Sequence, residues 1–192
     1  SLEGRGFCGD IGGVIARLIV ALAVLGSHSH LFGQGRWHLY PDDAMVWREM
    51  VAHIDNGVVR MGNSWNGEVV YTVKADDMWD EVHVFQGFST SSLDVAFTLR
   101  DGKLYLGDSA FSDAILYTFH EGQIFVGDST FPLDVAYTIR EERRQFAGSA
   151  QSAPLWGVFR EDSRSWSDRI AVVEGPLDAA AIFALLSAGG WL

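Results

Sequence analysis

Cysteine is nearly absent. Cys8 stands alone among 192 residues, so no intrachain disulfide can staple the fold and no thiolate cluster can hold a metal within one chain. Proline is scarce too: Pro41, Pro132, Pro154 and Pro176 are the four, and each falls at a link or a helix start in the reading below. Basic residues are outnumbered, 14 against 25 acids, for a net charge of −11. Half of that imbalance and more sits in 58–148, where fourteen acids face seven bases. Such a surface repels phosphates, so nucleic acid is excluded as a partner, and there is no polybasic patch for an anionic membrane. A long apolar run is also missing. The most apolar stretch, 11–25 (IGGVIARLIVALAVL), is interrupted by Arg17 and is shorter than the roughly 20 residues a membrane span needs. The helical spacing of Ile11, Val14, Ile15, Leu18, Ile19, Leu22 and Leu25 favours a buried helix. Arg17 followed by LIVALAVLG gives a second, less favoured reading as a signal-like or membrane-contacting segment, and a partner-binding helix is the third.

Catalytic patterns are wanting as well. The chain has no glycine loop leading into Lys-Ser/Thr and no His-Glu-x-x-His helix. Gly-Asp-Ser occurs at 107–109 and 127–129, but not in the strand-to-helix elbow that a nucleophilic serine needs. His28, His30 and His38 are close in sequence, yet no Cys or carboxylate stands near them at metal-site spacing. The pairs Asp108/Asp113 and Asp128/Asp134 offer oxygen ligands suited to calcium. Local turn formation explains the same residues. No cofactor, no metal and no enzymatic activity is expected.

What the chain does have is a repeat. KLYLGDSAFSDAILYTFHEG (103–122) and QIFVGDSTFPLDVAYTIREE (123–142) are one unit written twice. Worn copies extend it from Val59 to Phe159, with glycines at 62, 87, 107, 127 and 148. Each unit holds two short runs rich in Val, Ile, Thr, Tyr and Phe, which read as strands. Asp101-Gly102 and Glu121-Gly122 mark hairpin turns, and a three-residue loop ending in a left-handed glycine is the expected type. That loop sets Phe97 opposite Tyr105 and Tyr117 opposite Phe125. Because strand side chains alternate, Phe97, Tyr105, Tyr117, Phe125 and Tyr137 then form one aromatic row on a single face, as core layer or as interaction surface. The links GDSAFSD and GDSTFPLD are too short for parallel crossovers. The fold expected is mainly β: an antiparallel meander of about five 20-residue hairpin repeats, flanked by N-terminal helices and a C-terminal capping helix.

The flanks complete three segments. Residues 1–57 carry the apolar run, a His-containing loop and a helix opened by Pro41-Asp42-Asp43, where acids suit the helix dipole, and closed by Asn56-Gly57. Residues 58–160 are the repeats. Residues 161–192 hold an edge strand, RIAVV, and an apolar helix from Pro176 to Gly189 that caps the sheet.

The unit YTFHEGQIFVGD (117–128) resembles the hairpin of MORN repeats, in which Tyr-Thr-Phe, a glycine turn and aromatic-x-Gly recur. The 20-residue period is shorter than that family's unit, and GDSxFxxD replaces its second glycine-rich half. The chain is also similar to bacterial proteins built from IYxGxS…YTI hairpins closed by an apolar helix. The MORN resemblance implies protein or lipid scaffolding. A non-catalytic structural or protein-interaction module, binding itself or another protein, is the function expected; the alternative is a carbohydrate- or small-ligand-binding β protein using exposed aromatics. A cytoplasmic setting is expected, with an exported or membrane-associated one as the alternative.

Overall fold

The turns decide the register. At Asn56-Gly57, Asp101-Gly102 and Glu121-Gly122 both residues take positive φ, between 49° and 79°. Arg100 pairs Lys103 and His120 pairs Gln123 across them. These are two-residue type I′ turns, whose twist matches that of the strands they join, and not the three-residue loops expected. The one-residue difference moves alternate side chains to the other face.

In the computed structural model, residues 35–42, 47–76, 79–142, 153–163 and 165–192 are described. The strands are β1 (Arg36–Pro41), β2 (Ala52–Asp55), β3 (Val58–Met61), β4 (Val69–Asp76), β5 (Glu81–Gln86) and β6 (Val95–Arg100). They continue as β7 (Lys103–Leu106), β8 (Ile115–His120), β9 (Gln123–Val126), β10 (Val135–Glu142), β11 (Leu155–Arg160) and β12 (Arg169–Glu174), followed by helix α1 (Ala179–Ala188). All neighbours are antiparallel, and β12 pairs with β1. The sheet is therefore a closed twelve-stranded barrel, which corrects the open meander expected from the repeats. Closure removes the edges, so RIAVV is not an edge strand; it lies between β11 and β1.

The flanking helices are corrected too. Pro41 ends β1, and most of the helix expected after it is replaced by a short 3-10 turn (Trp47–Glu49) and β2. Asn56-Gly57 closes a hairpin and not a helix. Cys8, the 11–25 run, His28, His30 and Gly148 lie outside the described residues.

Counting the pair β12–β1, the barrel consists of six hairpins, and one bond marks each. Thr72, Thr98, Thr118 and Thr138 donate their hydroxyls to the carbonyls of Gly87, Gly107, Gly127 and Glu161, at 2.6 to 2.8 Å. In β2–β3, His53 Nδ1 takes the same place against Gly62 O, at 2.8 Å. In the sixth hairpin Val172 stands where the threonine would, paired with Tyr40. Arg169 Nη2 reaches the matching carbonyl, Asp42 O, at 2.6 Å. The same arginine bonds both carboxylate oxygens of Glu142 at 2.9 Å and Asp42 Oδ1 at 2.7 Å. Burial pulls its guanidinium down, but the two carboxylates outweigh that and hold it above its ordinary value.

The lumen is filled by α1. Ala180 to Leu186 are each at most 2% exposed, and every strand of the barrel has a residue in or against the cluster they form. A helix apolar on all sides has no other stable place in water. The expected cap on a sheet face is thus a plug inside the barrel. Asp178 caps its start, accepting from Ala181 N at 3.0 Å, and Trp37 Nε1 holds Pro176 O at 2.8 Å. The helix runs from the hairpin-turn end towards the opposite mouth, where Tyr137 Oη donates to Trp191 O at 2.5 Å.

Candidate functional site

The aromatic row does not exist as one face. Phe97, Tyr117 and Tyr137 turn inward and pack against the lumen core, Tyr117 lying 6.3 Å from the Phe183 ring. Burial raises the Tyr137 phenol above its ordinary value. Tyr105 and Phe125 pair with Thr98 and Thr118, so they lie on the outer face, yet they too are buried. All five are buried or half-buried in the barrel wall.

The outer face is covered by the loops that join one hairpin to the next. A Ser-x-x-x-x-Asp pattern shapes them: Ser89, Ser129 and Ser163 donate to Asp94, Asp134 and Asp168 at 2.5 to 2.6 Å. The same serine oxygens accept from the backbone N–H two residues on. Each carboxylate so used is part of a turn. Straps fix the loops to the wall. Lys103 Nζ lies 2.6 Å from Asp128 Oδ1, and Gln123 Nε2 donates to Asp162 Oδ1 at 3.2 Å. Of the other acids considered for calcium, Asp113 is exposed and Asp108 faces His83. His38 Nδ1 is 3.1 Å from Glu174 Oε2, and His120 is exposed beside Glu121. Among the described residues no three His, Cys, Asp or Glu side chains converge as a metal cluster.

Two surfaces remain that packing explains only in part. The first is a crown at one end of the barrel. In an antiparallel barrel the loops 62–68, 87–94, 107–114, 127–134 and 161–168 all open at the same end. Trp65, Phe88, Leu93, Phe111, Phe131, Leu133 and Trp166 are exposed on them, from 54% at Trp65 to 98% at Leu133. Three of these rings lie against guanidinium groups of the wall, Trp65 by Arg36, Phe88 by Arg60 and Trp166 by Arg169, at 5.0 to 5.5 Å. With the sixth connection at this end, 42–51, the loops hold twelve acids and two bases, Arg48 and Arg164. Large apolar side chains set out in this number on one end are unusual on a surface that meets only water.

The second surface is a cleft of about 650 Å³ on the outer wall, lined by Trp79, Glu81, His83, Arg100 and Asp108. Arg100 Nε lies 2.7 Å from Glu81 Oε1, though off the line of a hydrogen bond, and the guanidinium sits 5.7 Å over the Tyr105 ring. The Glu81 carboxylate holds Arg100 above its ordinary value. His83 Nδ1 is 3.3 Å from Thr98 Oγ1 and 3.9 Å from Asp108 Oδ1, and its Nε2 is 3.8 Å from Glu81 Oε2. Sequence reasoning missed this cluster because its members come from β5, β6, the β4–β5 link and a loop after β7.

Among the described residues no helix is long and apolar enough to cross a membrane. No curated protein matches the chain. A solved X-ray structure of a protein from Arabidopsis thaliana is similar at 16% identity, over 84% of this chain and 93% of that one, with a TM-score of 0.40. The family model described as 6-fold beta flower protein matches residues 39–175, the span from β1 to the end of β12. A β repeat array is thereby shown, through a family other than MORN, and six hairpins closing on themselves agree with the description. The chain belongs to the 6-fold beta flower protein family.

Proposed function

We propose that this protein is a non-catalytic interaction module that docks through its loop crown onto a protein surface both apolar and basic. The observation that carries this reading is the composition of the crown: seven large exposed apolar side chains on loops that hold twelve acids and two bases. The apolar residues supply the area, and the acids select the sign of the partner. An anionic lipid surface is disfavoured by the same charge.

The test compares the wild type with Phe111→Ser/Phe131→Ser, which alters only exposed positions. Proteins retained from the source cell's extract are purified and titrated by calorimetry against both forms. The reading expects binding to weaken at least tenfold in the double variant and to fall as salt rises. Binding unchanged in the variant, or binding to phosphatidylserine vesicles in place of protein, would overturn it.

A further inference from the structure

The repeat supplies its own standard of comparison. In two hairpins the outer residue after the turn straps the next loop: Lys103 to Asp128 and Gln123 to Asp162, at 2.6 and 3.2 Å. The equivalent pair one hairpin earlier is His83 and Asp108, and it stands open at 3.9 Å. The same hairpin departs in a second way. β4–β5 continues for two residue pairs past the point where β6–β7 and β8–β9 turn, adding Ala75↔Val82 and Asp76↔Glu81. The extension sets Glu81 beside Arg100 and carries Trp79, 68% exposed, to the rim. β10–β11 runs on by the same two pairs, Glu141↔Trp156 and Glu142↔Leu155, but there Glu142 is held by Arg169. At β4–β5 the extension meets a loosened strap, and the two together make the cleft.

We infer that this cleft is a binding site for a neutral sugar. One guanidinium faces two carboxylates, so a phosphate meets a field of the wrong sign. Glu81 is engaged by Arg100, and Glu81, His83 and Asp108 do not converge as a metal-ligand set. What remains is a dense set of directional groups, guanidinium donors, carboxylate acceptors and an imidazole that offers one of each. A sugar ring presents hydroxyls around its edge and C–H bonds on its faces. The exposed indole of Trp79 takes the apolar face, and Arg100, Glu81, His83 and Asp108 take the hydroxyls. The volume of about 650 Å³ lies in the usual range for small-ligand sites. Asp108 belongs to a crown loop, but none of the exposed apolar side chains of the crown lines the cleft, so the two proposals are tested by different variants and stand or fall separately.

The experiment titrates the full chain with maltose, cellobiose, lactose and diacetylchitobiose, following saturation transfer and the indole N–H resonances by NMR. Glucose 6-phosphate and arginine methyl ester are the anionic and cationic controls. At least one disaccharide should bind with a Kd on the order of 1 mM. Trp79→Ala should weaken that binding at least tenfold, and Asp108→Asn severalfold. Trp65→Ala, which removes an indole from the crown, should leave it unchanged. The indole spectrum of each variant checks that it is folded. The proposal is overturned if none of the four sugars binds, if Trp79→Ala binds as well as wild type, or if either charged control binds more tightly than every sugar.

Discussion

Thr118→Val isolates the bond on which the repeat is built. Thr118 is 5% exposed and donates to Gly127 O at 2.7 Å. Valine has almost the same volume, so no cavity opens and the β preference is kept. What goes is one hydrogen bond, worth about 0.5–1.5 kcal/mol net, plus the cost of leaving a carbonyl short of a partner. Gly127 is only half-buried, so water recovers part of that second cost, and the total should be about 1–2 kcal/mol. For a chain of this size that lowers Tm by about 2–8 °C. Thr118→Ser is the reference: it keeps the donor and loses a methyl worth about 0.8 kcal/mol. The assay is a urea melt of the three proteins with calorimetry alongside. A valine variant as stable as wild type, with serine the weaker of the two, would show that the methyl matters and the bond does not. The sixth hairpin offers the converse. Val172 is fully buried, and Arg169 already serves the matching carbonyl, so Val172→Thr should cost about 1–3 kcal/mol for an unpaired hydroxyl.

Three further outcomes follow from the same structure. A chain ending at Glu174 loses α1 and empties the lumen; it should show no cooperative transition and should bind a hydrophobic dye, whereas a stable monomer would make the plug dispensable. Gly122 has φ of 79° and would bring a Cβ within 3.1 Å of Ile139 O. Gly122→Val should therefore cost about 1–3 kcal/mol in a chemical melt. Arg169→Gln breaks the forks to Glu142 and Asp42 at the barrel's closure, and should raise amide exchange in β1 and β12 well before β6–β9 are affected.

The repeat and its strands were legible from 95 to 142 because those copies are contiguous and little worn. The register was not, because Asp-Gly and Glu-Gly suit both a two-residue and a three-residue turn. That single residue parts Tyr105 and Phe125 from Phe97, Tyr117 and Tyr137. Closure was hidden for another reason. The sixth hairpin is made of RIAVVE and RWHLYP, more than a hundred residues apart, so no continuous copy exists to align. Pro41-Asp42-Asp43 was misleading because a proline followed by acids is good helix-start chemistry wherever tertiary pairing does not compete. Of the surfaces, the crown's phenylalanines were visible in GDSAFSD and GDSTFPLD but were read as parts of turns. The cleft was out of reach, since only the barrel brings Glu81 to Arg100 and Asp108 to His83.

The place of α1 after all twelve strands has a consequence for how the protein is made. A ribosome releases β1 to β11 before the strand that closes the barrel, and closes it before the segment that fills it. Until then, the inward faces of the hairpins, Leu104 and Ile124 among them, have no partner. β1 meanwhile waits with one side unpaired, and open strand edges of this kind invite association. The nascent chain therefore passes through a stage in which its most adhesive surfaces are formed and uncovered. The few seconds between the making of β11 and that of α1, at roughly 5–20 residues per second, decide whether it becomes a barrel or an aggregate. A stall inside the codons for 176–188 should be more damaging than one of equal length at any earlier turn.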